Sequence, residues 1–279
     1  MPSHRPVITL LTDFGEHDDY VGAMKGVILG IAPDAQLVDI SHQVEPQNIL
    51  QAASILNNVH RYYPAGTIHM VVVDPGVGSA RRPVALQTDS ATFVAPDNGV
   101  LTHVYASAAA PNVVALENTE YWLPNPSMTF HGRDIFSPVA AHLAMGVQLA
   151  ALGPRLDQLV MLTLPSLAVA ASSIRGEVVR IDHFGNVITN IMPLRWLDPQ
   201  TVEFAPTGKP AVTIQAARSK TSCGWHTVSG LQTTYTGVPD GQAVAVIGSS
   251  QELEIAINQG NASQAFDIKV GSPVTLQFG

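Results

Sequence analysis

The stretch Ile68-His69-Met70-Val71-Val72-Val73-Asp74-Pro75-Gly76-Val77-Gly78 is an apolar run that ends on an aspartate and a Pro-Gly turn. It reads as a strand delivering a carboxylate to the loop that follows it, where reactive groups commonly sit. Outward from it, Val7–Leu11 and Gln36–Ile40 are similar short apolar runs. Between and after them, Tyr20–Ile31, Ile49–His60 and Asp134–Met145 place apolar residues three and four apart, which predicts helices. Strands alternating with helices predict an α/β domain in which a layered sheet packs against helices. Beyond about Leu164 the helical period vanishes. Short alternating runs take over at Glu177–Ile181, Val202–Phe204, Val212–Gln215, Val244–Ile247 and Val274–Phe278, with Gly and Pro between them. They predict an all-β, barrel-like domain. The expected organisation is an N-terminal α/β domain over residues 1–163, a linker over 164–173 and a C-terminal β-barrel domain over 174–279. The linker is apolar and small rather than Gly/Ser-rich, which predicts firmly docked domains.

A chain of 279 residues can bury the cores of two modest domains without staples. It is 46% hydrophobic and 13% charged, an economy of surface charge that oligomerisation would explain. Fourteen basic against 22 acidic residues give a formal charge of -8, which opposes a phosphate backbone and argues against a nucleic-acid partner. Cys223 is the only cysteine, so no intrachain disulfide or cysteine-based zinc site can form, as in a reducing cytosol. Met1 to Pro6 carries no signal-peptide pattern, and no apolar run approaches the length of a membrane span. A soluble, cytoplasmic protein is expected.

Several motifs carry chemistry-bearing residues. Thr12-Asp13-Phe14-Gly15 closes the first strand, and His17-Asp18-Asp19 follows. In open α/β sheets ligands bind at the carboxyl ends of strands, where Asp13 can accept both hydroxyl hydrogens of a ribose. Asp18 or Asp19 is placed to cap the helix near Tyr20, with Asp19 the preferred cap. Asp74-Pro75-Gly76 alone is an ordinary turn. Arg81 lies seven residues on, close enough to orient the carboxylate, and His131 of FHGRD (Phe130–Asp134) adds an imidazole, either a satisfied helix-start histidine or part of a site. Together Asp74, Arg81 and His131 can position and partly deprotonate a water. Pro96-Asp97-Asn98-Gly99 reads as a structural turn. Asp182-His183-Phe184-Gly185-Asn186 is either a Gly-Asn hairpin turn or an acid, an aromatic face and an amide for a ligand. Ser249-Ser250 can cap a segment or bind a carboxylate. The sequence holds no GxxxxGK[ST], GxGxxG opening a helix, HExxH or GxSxG. Its ten histidines are scattered without ligand spacing, so no metal site is expected.

TDFG, ISH (Ile40–His42), VVDPGVG with Arg81, PDNG, FHGRD, DHFGNVITN and SS…LEIA occur together and in order. From about Val7 to Ala262 the chain thereby resembles the S-adenosylmethionine hydroxide adenosyltransferase family, the hydrolases related to fluorinase and chlorinase. The resemblance implies an N-terminal α/β domain, a C-terminal β-barrel and a homotrimer with active sites between one subunit's N-domain and its neighbour's C-domain. It implies attack of water on C5′ of the ribose, with methionine leaving and adenosine released, and no cofactor. By this resemblance Asp74, Arg81 and His131 are the water-activating triad. Asp13 meets the ribose hydroxyls, Phe130 lines the pocket near C5′, Phe184 and Asn186 surround the adenine, and Asp182, Asp18 and Ser249 lie near the methionine end. The halogenating relatives carry tyrosine-type residues where this chain has Asp74 and His131, and a serine where it has Gly132. This chain also has Gln47 in place of a tryptophan against the ribose, Ser250 in place of an arginine at the methionine carboxylate, and Tyr20 in place of a serine at that end. Two other readings stand beside the hydrolase: a halide-using enzyme making a 5′-halo-5′-deoxyadenosine, and a non-catalytic module binding adenosine or S-adenosylmethionine.

Overall fold

Strand segments buried along their whole length form the centre of the N-terminal sheet. The computed structural model describes residues 5–206, 208 and 210–279, so residues 1–4, expected to lead directly into the first strand, lie outside them. In chain order the N-terminal elements are β1 (Val7–Thr12), α1 (Tyr20–Ile31), β2 (Gln36–Ser41), α2 (Ile49–Val59), β3 (Thr67–Val72), β4 (Pro83–Gln87), β5 (Ala91–Pro96), α3 (Thr102–Ser107), β6 (Asn112–Ala115) and α4 (Ser137–Ala144). The strands lie in the order β2-β1-β3-β5-β4-β6. Pairing is parallel from β2 through β5, and β4 runs antiparallel to both β5 and β6. Every residue of β3 and of β5 is buried, which is why Met70-Val71-Val72-Val73 is continuously apolar rather than alternating.

Alternate strand residues feed two apolar clusters. Ile8, Leu10, Met70 and Val72 join Met24 and Ile28 of α1 and Val139 and Ala140 of α4. Leu11, Val71 and Phe93 join Ala52, Ala53 and Leu56 of α2 and Val104 of α3. Large buried side chains of this kind contribute roughly 1.5–3 kcal/mol each.

The predicted helix over Asp134–Met145 starts differently. A π-helical turn, Gly132–Phe136, precedes α4. Pro138 has no N–H to offer the Asp134 carbonyl one helical turn back, and that carbonyl receives the Leu123 N–H at 2.9 Å instead. The Ser137 hydroxyl donates to the Gly132 carbonyl at 2.7 Å, five residues back. Asp19 sits at the start of α1 without a side-chain capping bond, contrary to the cap expected of it. Its backbone carbonyl alone accepts, from the Ala23 N–H at 2.9 Å.

The chain divides into two compact units, residues up to Leu162 and from Thr163 onward. The C-terminal unit contains β7 (Ala168–Ala170), β8 (Ser173–Ile181), β9 (Val187–Thr189), β10 (Leu194–Asp198), β11 (Thr201–Phe204), β12 (Val212–Gln215), β13 (Lys220–Cys223), β14 (His226–Ser229), β15 (Leu231–Gln232), β16 (Ala243–Ile247), β17 (Leu253–Ile257), α5 (Ala262–Phe266) and β18 (Pro273–Gln277). A nearly closed, barrel-like sheet runs β14-β13-β18-β8-β9-β17-β16-β15, with β7 also on β8. Strand β8 serves both parts, its first half pairing with β18 and its second with β9. A separate three-stranded sheet is β10-β11-β12. Phe204, Ile214, Val187, Ile255 and Leu276 meet in one core. Helix α5 is a departure from the all-β expectation, and its start is capped by Asn261, which accepts the Gln264 N–H at 2.8 Å. Among the described residues no helix is long and apolar enough to cross a membrane.

Candidate active site at the carboxyl edge of the N-terminal sheet

From β1 the chain leaves to β2 on one side, and β3 is laid on the other side of β1. In a parallel sheet such a reversal makes the carboxyl ends of the two strands, here β1 and β3, the customary place for a ligand. Thr12 pairs with Val72, so Asp13 and Asp74 leave adjacent strands at the same edge.

The loop after Asp74 folds back on itself. The Ser79 hydroxyl donates to the Gly76 carbonyl at 2.6 Å and accepts the Arg81 N–H at 3.3 Å. Gly78 has a φ of +74°, and a Cβ there would strike the Met128 carbonyl, so this position requires glycine. The loop returns Arg81 to Asp74. Arg81 Nε donates to both carboxylate oxygens at 2.9 Å, and Nη2 donates to Oδ2. Only 8% of the Arg81 side chain and 5% of the Asp74 side chain are accessible. Such a desolvated pair holds together because the fork is fully matched, and removing one partner costs about 3–5 kcal/mol.

Arg81 Nη2 also lies 3.0 Å from His131 Nδ1. A guanidinium has no lone pair to offer, so Nδ1 accepts and the imidazole proton resides on Nε2. Burial first, and then the Arg81 charge, lower the His131 pKa, against the raising influence of Asp74 and Asp134. His131 is therefore a neutral donor through Nε2–H. Arg81 Nη1 is buried and without a partner among the described residues, and the guanidinium lies 5.2 Å over the Phe136 ring. Among the described residues the cluster thus leaves both Arg81 Nη1 hydrogens and the His131 Nε2–H unpaired, donors suited to holding an oxygen nucleophile.

Asp13 accepts the Gln47 N–H through Oδ2 at 2.8 Å, leaving Oδ1 without a hydrogen-bond partner among the described residues. His42, part of ISH, braces this loop twice: its carbonyl accepts the Gly15 N–H at 2.8 Å and its Nδ1 lies 2.8 Å from Thr12 Oγ1. Asn98 of PDNG donates to the Val73 carbonyl at 2.9 Å, directly before Asp74, and Asp97 takes Arg82 Nε at 3.0 Å. Phe130 is half-buried and next to the cluster, whereas Asp18 is exposed.

The other predicted residues lie in the C-terminal unit. DHFGN is the hairpin turn joining β8 to β9, with Gly185 at φ +84° against the Asn261 side chain. Asp182 is absorbed by that turn: its Oδ1 accepts the Phe184 and Asn186 N–H groups at 2.9 Å, and Oδ2 accepts the Asn186 amide at 2.9 Å. Asn186 is buried with its other amide hydrogen and its carbonyl still available, while Phe184 is 72% exposed. Ser249 and Ser250 form the turn between β16 and β17, so there is no helix for them to cap. Asp182 and Ser249 line one cavity of about 440 Å³ with Arg180, Tyr235 and Glu254. In the sequence alone these last three carry no motif of their own. Tyr235 donates to Glu254 Oε2 at 2.7 Å, and burial raises the Glu254 pKa despite that bond. The available signal was a glutamate inside the apolar run LEIA.

Two family models match the chain, the SAM hydroxide adenosyltransferase N-terminal domain over residues 8–153 and the C-terminal domain over 176–275. The chain is 37% identical to an (R)-S-adenosyl-L-methionine hydrolase of Thermus thermophilus, covering 98% of this chain and 99% of that protein. It is 28% identical to a fluorinase of Nocardia brasiliensis over 99% and 98% of the two chains. The crystal structure of an uncharacterized conserved protein from Thermotoga maritima superposes with a TM-score of 0.84 at 36% identity, covering 97% of this chain and 99% of that one.

Proposed function

The chain belongs to the SAM hydroxide adenosyltransferase family, and we propose that it hydrolyses S-adenosyl-L-methionine to adenosine and L-methionine. The observation that carries this reading is the hydrogen-bonded Asp74-Arg81-His131 cluster at the switch point of the sheet. The sulfonium is already a good leaving group, so the enzyme has to hold water in line with the C5′–S bond in a dry pocket. In this reading Arg81 Nη1–H and His131 Nε2–H donate to the water oxygen and turn its free lone pair toward C5′. As the C–O bond forms the water becomes an oxonium, acidic enough for Asp74 to accept its proton even while paired with Arg81. The C5′–S electron pair leaves with methionine.

The remaining roles belong to the same proposal. Asp13 accepts from the ribose hydroxyls through its available oxygen, and Phe130 lines the pocket near C5′. Phe184 stacks on the adenine and Asn186 reads its edge. Asp182, Asp18 and Ser249 contact the methionine end. The enzyme works in the cytoplasm without cofactor or metal, as a homotrimer in which N- and C-terminal units of neighbouring subunits complete each site. The N-terminal unit is a three-layer sandwich, a reading supported by the alternate strand residues in its two apolar clusters.

The test is incubation of the purified protein with S-adenosyl-L-methionine, with and without chloride, followed by chromatography. Adenosine and methionine in equal amounts, indifferent to halide, are expected. A halide-dependent 5′-halonucleoside, or binding without turnover, would overturn the hydrolase.

A further inference from the structure

Phe14, Tyr20 and Phe130 stand against one another beside the Asp74-Arg81-His131 cluster. Their ring centroids are 5.2 to 5.9 Å apart, with interplanar angles of 52°, 75° and 85°, so they form a corner and not a stack. With Ser127, Thr129 and Arg133 they line a cavity of about 340 Å³. A Cβ on Gly132, the residue after His131, would touch both the Phe130 and Phe14 rings, which places the corner one residue from the cluster. Tyr20 is 44% exposed, so its ring is not there to fill the core.

A corner of inclined aromatic rings is suited to a cation carrying apolar substituents, because each ring presents its negative face or lets the cation rest against a neighbour that does. Arg133 already covers one face of Phe130 at 5.0 Å, but its charge is balanced by Asp134 at 2.6 Å. The adjoining loop adds the exposed carboxylates of Glu16, Asp18 and Asp19. The field at the corner therefore favours a positive guest.

We propose that Phe14, Tyr20 and Phe130 form a subsite for the sulfonium of the substrate, distinguishing the charged sulfonium from a neutral thioether. The proposal rests on the hydrolase reading. Its chemistry gives the subsite a direction: as the C5′–S bond breaks, the sulfur regains its electron pair and loses its charge, so the attraction holds S-adenosyl-L-methionine and releases methionine. Because it acts on the ground state more than on the transition state, losing it should raise KM while leaving kcat level or slightly higher.

The test compares wild type, Tyr20→Leu and Tyr20→Phe. For each, kcat and KM for S-adenosyl-L-methionine are measured, with inhibition constants for S-adenosyl-L-homocysteine, a non-cleavable analogue bearing an ammonium in place of the sulfonium, and adenosine. The expected result is that Tyr20→Leu weakens the cationic analogue by about tenfold, leaves the thioether and adenosine nearly unchanged, and raises KM. Tyr20→Phe should keep the wild-type preference. An equal weakening of all three inhibitors in Tyr20→Leu would mean that the ring serves only packing and would overturn the subsite. So would an unchanged ratio of cationic to neutral inhibitor. In either case wild-type turnover leaves the hydrolase reading standing, whereas a wild type that does not cleave S-adenosyl-L-methionine removes both.

Discussion

Arg81 Nη2 and His131 Nδ1 lie 3.0 Å apart, and the same guanidinium grips Asp74 through Nε and Nη2. One side chain therefore sets the tautomer of the imidazole and the orientation of the carboxylate. A lysine cannot do both, since its ammonium lacks the planar fork. Arg81→Lys should keep the fold, because a cation still faces the buried Asp74, yet lose roughly 10²–10³-fold in kcat, the scale of removing a preorganised donor. Steady-state turnover with a circular-dichroism control checks this. A variant within threefold of wild type would show that the fork is dispensable.

The protonation state of His131 sets an acid limit. In the proposed mechanism neutral His131 is the working form, and burial together with the Arg81 charge pushes its pKa below 6.5. Lowering the pKa extends the neutral form to more acid conditions, so kcat/KM should stay level as pH falls through 6.5 and decline only below it. A pH profile at constant ionic strength measures this. A decline already under way at pH 7 would place an ordinary or raised imidazole in the mechanism.

His69 makes a prediction about stability rather than activity. Its side chain is fully buried on β3, with Nδ1 2.8 Å from Thr9 Oγ1 and Nε2 without a partner among the described residues. Burial, helped by His60, lowers its pKa to about 4. Above pH 6.5 the ring is neutral whether folded or not. Between 6.5 and 4 the unfolded chain takes up a proton that the folded one refuses, so stability present above pH 6.5 is lost as pH falls, by up to ~3 kcal/mol. His69→Gln keeps a hydrogen-bonding group toward Thr9 and removes the titration. Urea unfolding at pH 7 and pH 4.5 should show a smaller drop for the variant, whatever its stability at pH 7. Equal drops would assign the acid sensitivity elsewhere.

The helix α1 was legible because Val21, Met24 and Ile28 repeat at helical spacing, and both of its ends fall where that pattern does. The short antiparallel strands β4 to β6 were not, since four to six residues of Val and Ala suit a strand, a helix or a buried loop equally. The π-helical turn beneath His131 follows from a tertiary partner, the Leu123 N–H, that no local pattern announces. In the site, Asp74 and Arg81 could be joined on paper because seven residues with a Pro-Gly turn must double back. His131 comes from fifty residues away, and its hydrogen bond to Arg81 depends on the packing of a separate helix. Glu254 escaped notice because a strand glutamate normally faces water, whereas here Tyr235 takes it inward.

Phe184 separates binding from folding more cleanly than Asp182 can. Asp182 accepts three hydrogen bonds within its own hairpin, so replacing it would unravel the turn as well as any ligand contact. Phe184 is 72% exposed and contributes little to the core, so in the proposed function its ring is available to stack on the adenine. Phe184→Ala should leave the thermal midpoint within a degree or two and raise KM for S-adenosyl-L-methionine by about tenfold, the value of losing roughly 1–3 kcal/mol of stacking on a base. Adenosine inhibition should weaken by the same factor, because both molecules carry the adenine. If neighbouring subunits complete each site, mixed trimers of Phe184→Ala with an Asp74→Ala variant should regain low-KM turnover that neither shows alone. Verified mixed trimers without that recovery would confine each site to one subunit, and an unchanged adenosine constant would remove Phe184 from the adenine pocket.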